Sequence, residues 1–309
     1  MPMPHRTMMQ VIKRRLVGKE GSEKIKELRA ILDELPGYRS GPYADVRKWV
    51  MQQMDLTRIR SKAVHRDSIA IHREGAAQVA LVGAPNAGKS SLLHALSDIQ
   101  IKVGGYAFTT TRPVAAVTRI KGVLIQLVEI PGLLPGASEG RGGGRALLGV
   151  LREADAIVYC HDASAPFQKL EEIRNEVGLA GIDKPAILAV TKLDESDEDA
   201  LQYARAAFPD MGAVGVSVID DRDLEAFRDA VWNLTGLIRV YTRLGDETSE
   251  TPFAFQEGAT TRDVAAALHK QLAVEIKAAK VWGPSAKFPG QQVGADHELK
   301  DGDAVEIVA

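Results

Sequence analysis

Residues 83 to 90 read Gly-Ala-Pro-Asn-Ala-Gly-Lys-Ser and fill every fixed position of GxxxxGK[ST], a spacing that can enclose a chain of phosphates. Gly83 and Gly88 let the backbone of Ala84, Pro85, Asn86 and Ala87 close around anionic oxygens, Lys89 can reach the outer phosphates, Ser90 can hold magnesium, and Ser91 extends the binding segment. The apolar run Val79-Ala80-Leu81-Val82 before this loop reads as a strand, and Leu92, Leu93 and Leu96 after it as a helix. The positive end of that helix would face the phosphates. A loop so placed is a nucleotide site, and it leaves the base open between adenine and guanine.

A second segment, Thr191-Lys192-Leu193-Asp194, follows the apolar run Ala186 to Val190, at the carboxyl end of a strand where open α/β sheets bind ligands. Asp194 can accept two hydrogen bonds, from guanine N1–H and the exocyclic amine. Adenine supplies neither, so the unpaired acid would penalise ATP. The stem of Lys192 can lie over the purine, and Thr191 stands where GTP-binding proteins more often carry Asn, which predicts somewhat weakened base affinity. Ser217-Val218 stands where similar GTP-binding proteins usually carry Ser-Ala, and that resemblance implies a backbone N–H contact to guanine O6.

Between these segments lie two stretches suited to sensing a third phosphate. Tyr106-Ala107-Phe108-Thr109-Thr110-Thr111-Arg112-Pro113 precedes the strand-like Val114 to Ile120, and one of its threonines can complete a magnesium shell. Thr110 is the favoured ligand, with Thr109 second. Val128-Glu129-Ile130-Pro131-Gly132 ends the apolar run Val123 to Val128, where a carboxylate normally holds magnesium through water and the Gly132 N–H touches the γ-phosphate. The pattern expects Asp, and Glu129 moves the carboxylate by on the order of an ångström, enough to weaken metal binding or slow turnover. The following residues, 135 to 145, are Gly-rich with Arg141 and Arg145, and such a loop is expected to be disordered until a γ-phosphate orders it.

Gly-Ala-Pro-Asn-Ala-Gly-Lys-Ser, Tyr-Ala-Phe-Thr-Thr and Ile-Pro-Gly-Leu-Leu-Pro-Gly-Ala-Ser-Glu-Gly-Arg-Gly resemble the Obg-related GTPases. More narrowly, Ile238-Arg239-Val240-Tyr241-Thr242-Arg243 and Val281-Trp282-Gly283-Pro284-Ser285-Ala286-Lys287 resemble the developmentally regulated GTP-binding (DRG) proteins. The likeness covers about residues 76 to 309, and the helical start weakly. It implies slow hydrolysis of GTP to GDP and phosphate, and a C-terminal TGS domain, a ubiquitin-like β-grasp fold that suggests ribosome or RNA contact. Leu133 stands where Ras-like enzymes place a water-orienting glutamine. In related GTPases with a hydrophobic residue there, a phosphate-loop asparagine recruits potassium, and Asn86 is at the matching position. Lys89, Asn86, Thr110 and Gly132 are therefore the catalytic candidates, with Ser90, Thr110 and Glu129 as metal ligands. Residues 133 to 191 are too few to include the extra domain that DRG proteins insert here.

The expected architecture is α/β: a P-loop domain with a mostly parallel sheet over residues 76–245, preceded by a helical hairpin within residues 1–75 and followed by a small β-grasp domain over residues 246–309. The hairpin is read from a stripe of Ile25, Leu28, Ile31, Leu32 and Leu35, facing Val46, Trp49, Val50 and Met54 on a second helix from about Ala44 to Val64. In the last segment, Phe253 to Phe255 reads as a strand and Thr260 or Thr261 as the cap of an Ala-rich helix to about Ile276.

Of 309 residues, 45% are hydrophobic and 26% charged, ordinary for a soluble protein of two or three domains. The net charge of −2 hides an asymmetry, because residues 1 to 66 carry fifteen Lys and Arg against seven Asp and Glu. That basic front could be merely solvated or could meet RNA phosphates. The sequence has no apolar run long enough to span a bilayer and no signal-peptide core at its start, so a cytoplasmic protein without membrane contact is expected. Cys160 is the single cysteine and reads as a packed strand residue; the seven histidines show no metal spacing. The expected partners are guanine nucleotide, a ribosome or RNA and, further, a protein cofactor. The alternative is a GTP-dependent adaptor with negligible hydrolysis.

Overall fold

The computed structural model describes residues 5–16, 19, 21–35, 41–64, 71–97, 99–101, 113–133, 136–140, 143–197 and 199–308. By backbone proximity the chain divides into two units, Met1–Ser68 and Ile69–Ala309.

The first unit contains α1 (His5–Arg15), α2 (Gly21–Glu34) and α3 (Pro42–Val64). Leu28, Ile31 and Leu35 of the expected stripe are buried against Val46, Val50 and Met54, with Leu32 and Trp49 partly buried at the edge. The expected hairpin is present as α2 and α3, and α1, which was not expected, adds Ile12 to its core and lays Met8 and Met9 against it. Arg15 ties α1 to α2, its guanidinium donating to Glu27 at 2.8 Å and to Glu34 at 2.6 Å. Part of the unit's basic charge is thus paired within it.

In the second unit, β1 (Ala77–Gly83), α4 (Lys89–Leu96), β2 (Ile99–Ile101), β3 (Val114–Ile120), β4 (Val123–Glu129), α5 (Gly144–Glu153), β5 (Ala156–Asp162), α6 (Gln168–Leu179), β6 (Ala186–Thr191), α7 (Ala200–Ala207), β7 (Gly212–Val216) and α8 (Asp221–Thr235) follow one another. Among the described residues seven strands form one sheet in the order β2-β3-β4-β1-β5-β6-β7. The pairs from β4 to β7 are parallel, and β2 and β3 join antiparallel. Every residue of β1 is buried, as expected of a central strand covered on both faces. Its Ala80 and Val82 pack towards Leu147, Leu151 and Leu170 of α5 and α6, while Val79 and Leu81 pack towards Leu92 and Leu96 of α4 and Phe227 of α8. The two faces hold the strand in place, so its last residue delivers the following loop to a fixed point.

Gly236, at φ 63, ends α8 and the chain passes at once into β8 (Leu237–Leu244), then β9 (Glu247–Thr248), β10 (Phe253–Gln256), α9 (Thr261–Leu268), α10 (Lys270–Glu275), β11 (Ala278–Trp282), β12 (Gln291–Val293) and β13 (Asp303–Val308). The second sheet orders as β10-β8-β13-β11-β12, with β9 paired to β8 and with β8 and β13 parallel. Val264 and Ala265 of α9 close its core over Val240, Val281 and Val305, the arrangement of a β-grasp fold. Thr260 caps α9 in a reciprocal box with Asp263, and the expected helix breaks at His269, whose extended backbone separates α9 from α10. Strand β8 falls in this second sheet and starts at Leu237, nine residues ahead of the boundary expected at 246.

Candidate functional site

Strands β1 and β4 lie side by side and end together, Leu81 opposite Glu129. Beyond β1 the chain turns through Gly83–Gly88 into α4, and Ala87 N–H donates to Ala84 O at 3.2 Å to close the turn. A Cβ at Gly83 would stand 2.3 Å from the Cys160 carbonyl oxygen, so the loop can leave β1 here only as glycine. Gly88 adopts φ 74 and a Cβ on it would press on Thr191 at 3.1 Å. Asn86 is exposed and takes the same left-handed backbone, with φ 65. Ser91 is exposed on the first turn of α4, whose unpaired amides open towards the loop.

Lys89 is buried and turns back into the loop, its Nζ donating to Gly83 O at 3.0 Å and Ala84 O at 2.8 Å. Burial lowers the pKa of this ammonium, and the negative charge of Glu129 works in the opposite direction. Carbonyl partners satisfy the buried cation and can be exchanged for phosphate oxygens, which accept more strongly. Beside it, Ser90 Oγ donates to Glu129 Oε1 at 2.6 Å, so a hydroxyl and a carboxylate converge at the mouth of the loop. Among the described residues no three His, Cys, Asp or Glu side chains gather as a metal cluster. One hydroxyl and one carboxylate, completed by phosphate and water, is the donor set of magnesium.

Gly132 lies against the phosphate loop, where a Cβ would approach Pro85 Cδ to 3.2 Å. Leu133 is buried in the core between the sheet and α5. Of the loop after it, residues 136–140 are described. Glu176, buried on α6, accepts from Gly136 N at 2.7 Å, Ser138 N at 2.9 Å and Ser138 Oγ at 2.7 Å. Three donors on one carboxylate fix this turn. Thr109, Thr110, Thr111 and Arg141 lie outside the described residues.

The base side is built on β6. Thr191 is buried, with Oγ1 3.0 Å from His161 O and 3.2 Å from Ala87 O, so the residue in the usual Asn position fastens the phosphate loop to β5 and β6. Lys192 follows with φ 58, and its Nζ meets Asp162 Oδ2 at 2.6 Å. Partial burial favours the neutral acid at Asp162, but Lys192 and the hydroxyl and N–H of Ser164 outweigh it and hold its pKa below the ordinary carboxylate range. Asp194 is exposed in a single 3₁₀ turn, Leu193–Glu195, with its carboxylate open to a base. At the neighbouring strand end, Ser217 N donates to Asp223 Oδ2 at 2.9 Å and Ile219 N to Ser217 Oγ at 3.4 Å. Val218, the residue between them, is exposed.

Sequence reasoning missed Asp162, Asp223 and Glu176. Asp162 had a signal, since it ends the apolar strand β5 at the ligand-binding edge. Glu176 had none, because only the fold brings α6 under residues 136–138.

A mostly parallel sheet whose central strand runs into this loop, with Asp194 and Val218 at neighbouring strand ends, defines a P-loop nucleotide-binding domain. Residues 78–192 match the family described as 50S ribosome-binding GTPase, and residues 238–309 match the TGS domain. An uncharacterised GTP-binding protein of Methanocaldococcus jannaschii is 28% identical over 363 aligned positions, covering 92% of this chain and 92% of that protein. The developmentally-regulated GTP-binding protein 2 homolog of Dictyostelium discoideum is also 28% identical, over 93% of this chain and 98% of its own. Both alignments exceed this chain's 309 residues, so the relatives carry segments absent here. A crystal structure of a GTP-binding protein from Pyrococcus horikoshii shares the fold, with a TM-score of 0.51 at 15% identity over 75% of this chain and 99% of that one. Residues 78–192 and 238–309 thus join a GTPase match to a TGS match, and proteins similar over most of the chain include developmentally regulated GTP-binding proteins. No helix among the described residues is long and apolar enough to cross a membrane.

Proposed function

We propose that the protein binds GTP with magnesium and hydrolyses it slowly to GDP and phosphate, as a nucleotide-controlled switch acting on ribosomes or another RNA surface. The observation that carries this is the meeting, at one edge of the sheet, of Lys89, the Ser90–Glu129 pair and Asp194 with the Val218 N–H. Lys89 exchanges loop carbonyls for phosphate oxygens. Lys192, its head held by Asp162, lays its stem along the purine, Asp194 accepts from N1–H and the amine, and Val218 N–H donates to O6. Ser90 and Glu129, with Thr110, would hold magnesium, which would supply charge neutralisation on the outer phosphates. Gly132 N–H adds a donor to the γ-phosphate. The partner class is inferred from the TGS match and the ribosome-binding description of the matching GTPase family, with the basic first unit as a further phosphate-facing surface. The proposed location is the cytoplasm.

Leu133 is turned into the core, so the residue after Gly132 supplies no group to orient water and intrinsic turnover is slow. Asn86, exposed on the loop, would bring potassium to the phosphates and raise that rate. Phosphate release from GTP and magnesium, in matched potassium and sodium buffers with Asn86→Asp as control, tests the reading. Faster release in potassium that is lost in Asn86→Asp is expected; equal rates in both salts would remove potassium from the mechanism. The same burial of Leu133, with Glu129 in place of Asp, favours a second reading: a GTP-dependent adaptor with negligible hydrolysis. Single-turnover measurement on the bound nucleotide separates the two.

A further inference from the structure

We propose that Glu176 is a positioning residue of the nucleotide site: from α6 it anchors the turn at 136–138 and so holds Gly132 at the phosphate loop. The proposal rests on the reading of Gly132 as a γ-phosphate contact given above. After β4 the chain is tied at Ile130, whose N–H donates to Leu81 O at 2.9 Å. Among the described residues the next hydrogen bonds from the backbone come past Gly132, where Gly136 N donates to Glu176 Oε1 at 2.7 Å and Ser138 N to Oε2 at 2.9 Å. Only residues 133 to 135 separate Gly132 from that second tie. Gly132, which lies against Pro85, therefore stands between two anchors, one on the central strand and one on α6.

The second anchor is built to stay. Ala137, between the two bonded residues, is buried in the core that also takes Leu133, Leu147 and Leu148. Glu139 N donates to Gly136 O at 3.1 Å and Gly140 N to Ala137 O at 3.0 Å, closing the turn on itself. A Cβ on Gly144 would overlap Ala137, so the start of α5 is packed against the same residue. Lifting the turn from α6 would strip three donors, Ser138 Oγ included, from a buried carboxylate and expose Ala137 to water. One Gly132 N–H turned to a phosphate returns less than that loss. The turn thus keeps its place with either guanine nucleotide, and Gly132 is presented from a fixed base.

Amide exchange at Gly136 and Ser138, read by NMR in the full chain with GDP and with a non-hydrolysable GTP analogue, tests the anchor directly. Both amides should be protected alike with either nucleotide. Glu176→Ala should release them and lower the ratio of analogue to GDP affinity roughly tenfold, since only the analogue carries the phosphate that Gly132 meets. Ser138→Ala removes the hydroxyl donor alone and serves if Glu176→Ala does not fold; it should lower the ratio about threefold. Protection with one nucleotide only would overturn the fixed anchor. An unchanged ratio in these variants, or equal weakening of both nucleotides, would reduce Glu176 to a structural role and overturn its hold on Gly132. Failure of the unaltered protein to bind GDP would overturn the nucleotide reading instead, with the protection of the two amides still measurable.

Discussion

Buried polar side chains occur in both sheets of residues 69–309, and they are satisfied in opposite ways. In the first sheet, those at the carboxyl ends of β1 and β6 serve the phosphate loop: Lys89 donates to two of its carbonyls, and Thr191 reaches from β6 to it. In the second sheet Thr261 Oγ1 lies 2.8 Å from both Gly294 O and Ala295 O, while Asp303 accepts from Ser285 N at 3.1 Å and Lys300 N at 2.7 Å. Burial without partners would be costly in either place. A phosphate can replace the partners of Lys89, whereas those of Asp303 are turns of its own fold that no ligand displaces. Buried polarity marks a site only where its partners are exchangeable.

Two substitutions bring out that contrast most strongly. Lys89→Ala should cost about 3 kcal/mol of GTP affinity, roughly a hundredfold, while thermal unfolding changes little. Asp303→Ala should do the reverse, removing about 2 kcal/mol from the second sheet by leaving two partly buried N–H donors without their acceptor, with GTP titration of the first sheet unaltered. If Asp303→Ala weakened GTP binding as much as Lys89→Ala, the division between the sheets would fail.

Within the site, the phosphate and base ends can be separated. Asp194→Asn should weaken GTP by about 2 kcal/mol, roughly thirtyfold, because an amide oxygen replaces a charged acceptor, and should leave the far weaker ATP binding unchanged. Equal losses for GTP and ATP would show that Asp194 does not read the base. Thr191→Val should cost about 1–2 kcal/mol for both nucleotides, through the loop carbonyl it abandons. An effect confined to the base would place Thr191 with Asp194 instead.

What was legible in the sequence was contiguous. Gly83 to Ser90 is a single run, and the strand before it and helix after it announce themselves by apolar pattern. Asp194 stands four residues beyond a buried run. The illegible parts are contacts made by folding: Asp162 meets Lys192 because β5 and β6 pair with Asp162 opposite Thr191, thirty residues apart in sequence. Glu176 reaches Gly136 across forty. The start of the second sheet was hidden for another reason, since α8 passes into β8 through Gly236 alone and no polar linker marks the change. α1 escaped notice because its apolar positions are few and stand among basic residues, and its core contact at Ile12 needs α2 and α3 to be in place.

Acid should divide the two sheets by a smaller but directional effect. His161 is buried at the end of β5, its Nε2 3.1 Å from Ala165 O and its ring 4.7 Å from Phe167, and burial lowers its pKa. The unfolded chain therefore takes up a proton near pH 6.5 that the folded one refuses, so the first sheet loses stability as pH falls below that value. The limit is about 1.4 kcal/mol per pH unit, reached only while the two states differ by a full proton. In the second sheet, Asp301 accepts from Arg239 N at 2.7 Å, Nε at 3.0 Å and Nη2 at 2.8 Å, and Arg239 holds its pKa below the ordinary carboxylate range. A lowered carboxylate stabilises above its unfolded value and loses that contribution only as pH falls through the folded one, below about pH 4. Amide hydrogen exchange at pH 5 should accordingly show weaker protection in β1, β5 and β6 than at pH 7, after correction for intrinsic exchange, with β8 and β13 unchanged. Substituting Phe for His161 should abolish the difference in the first sheet, and persistence of the full pH effect in that variant would assign it to other groups.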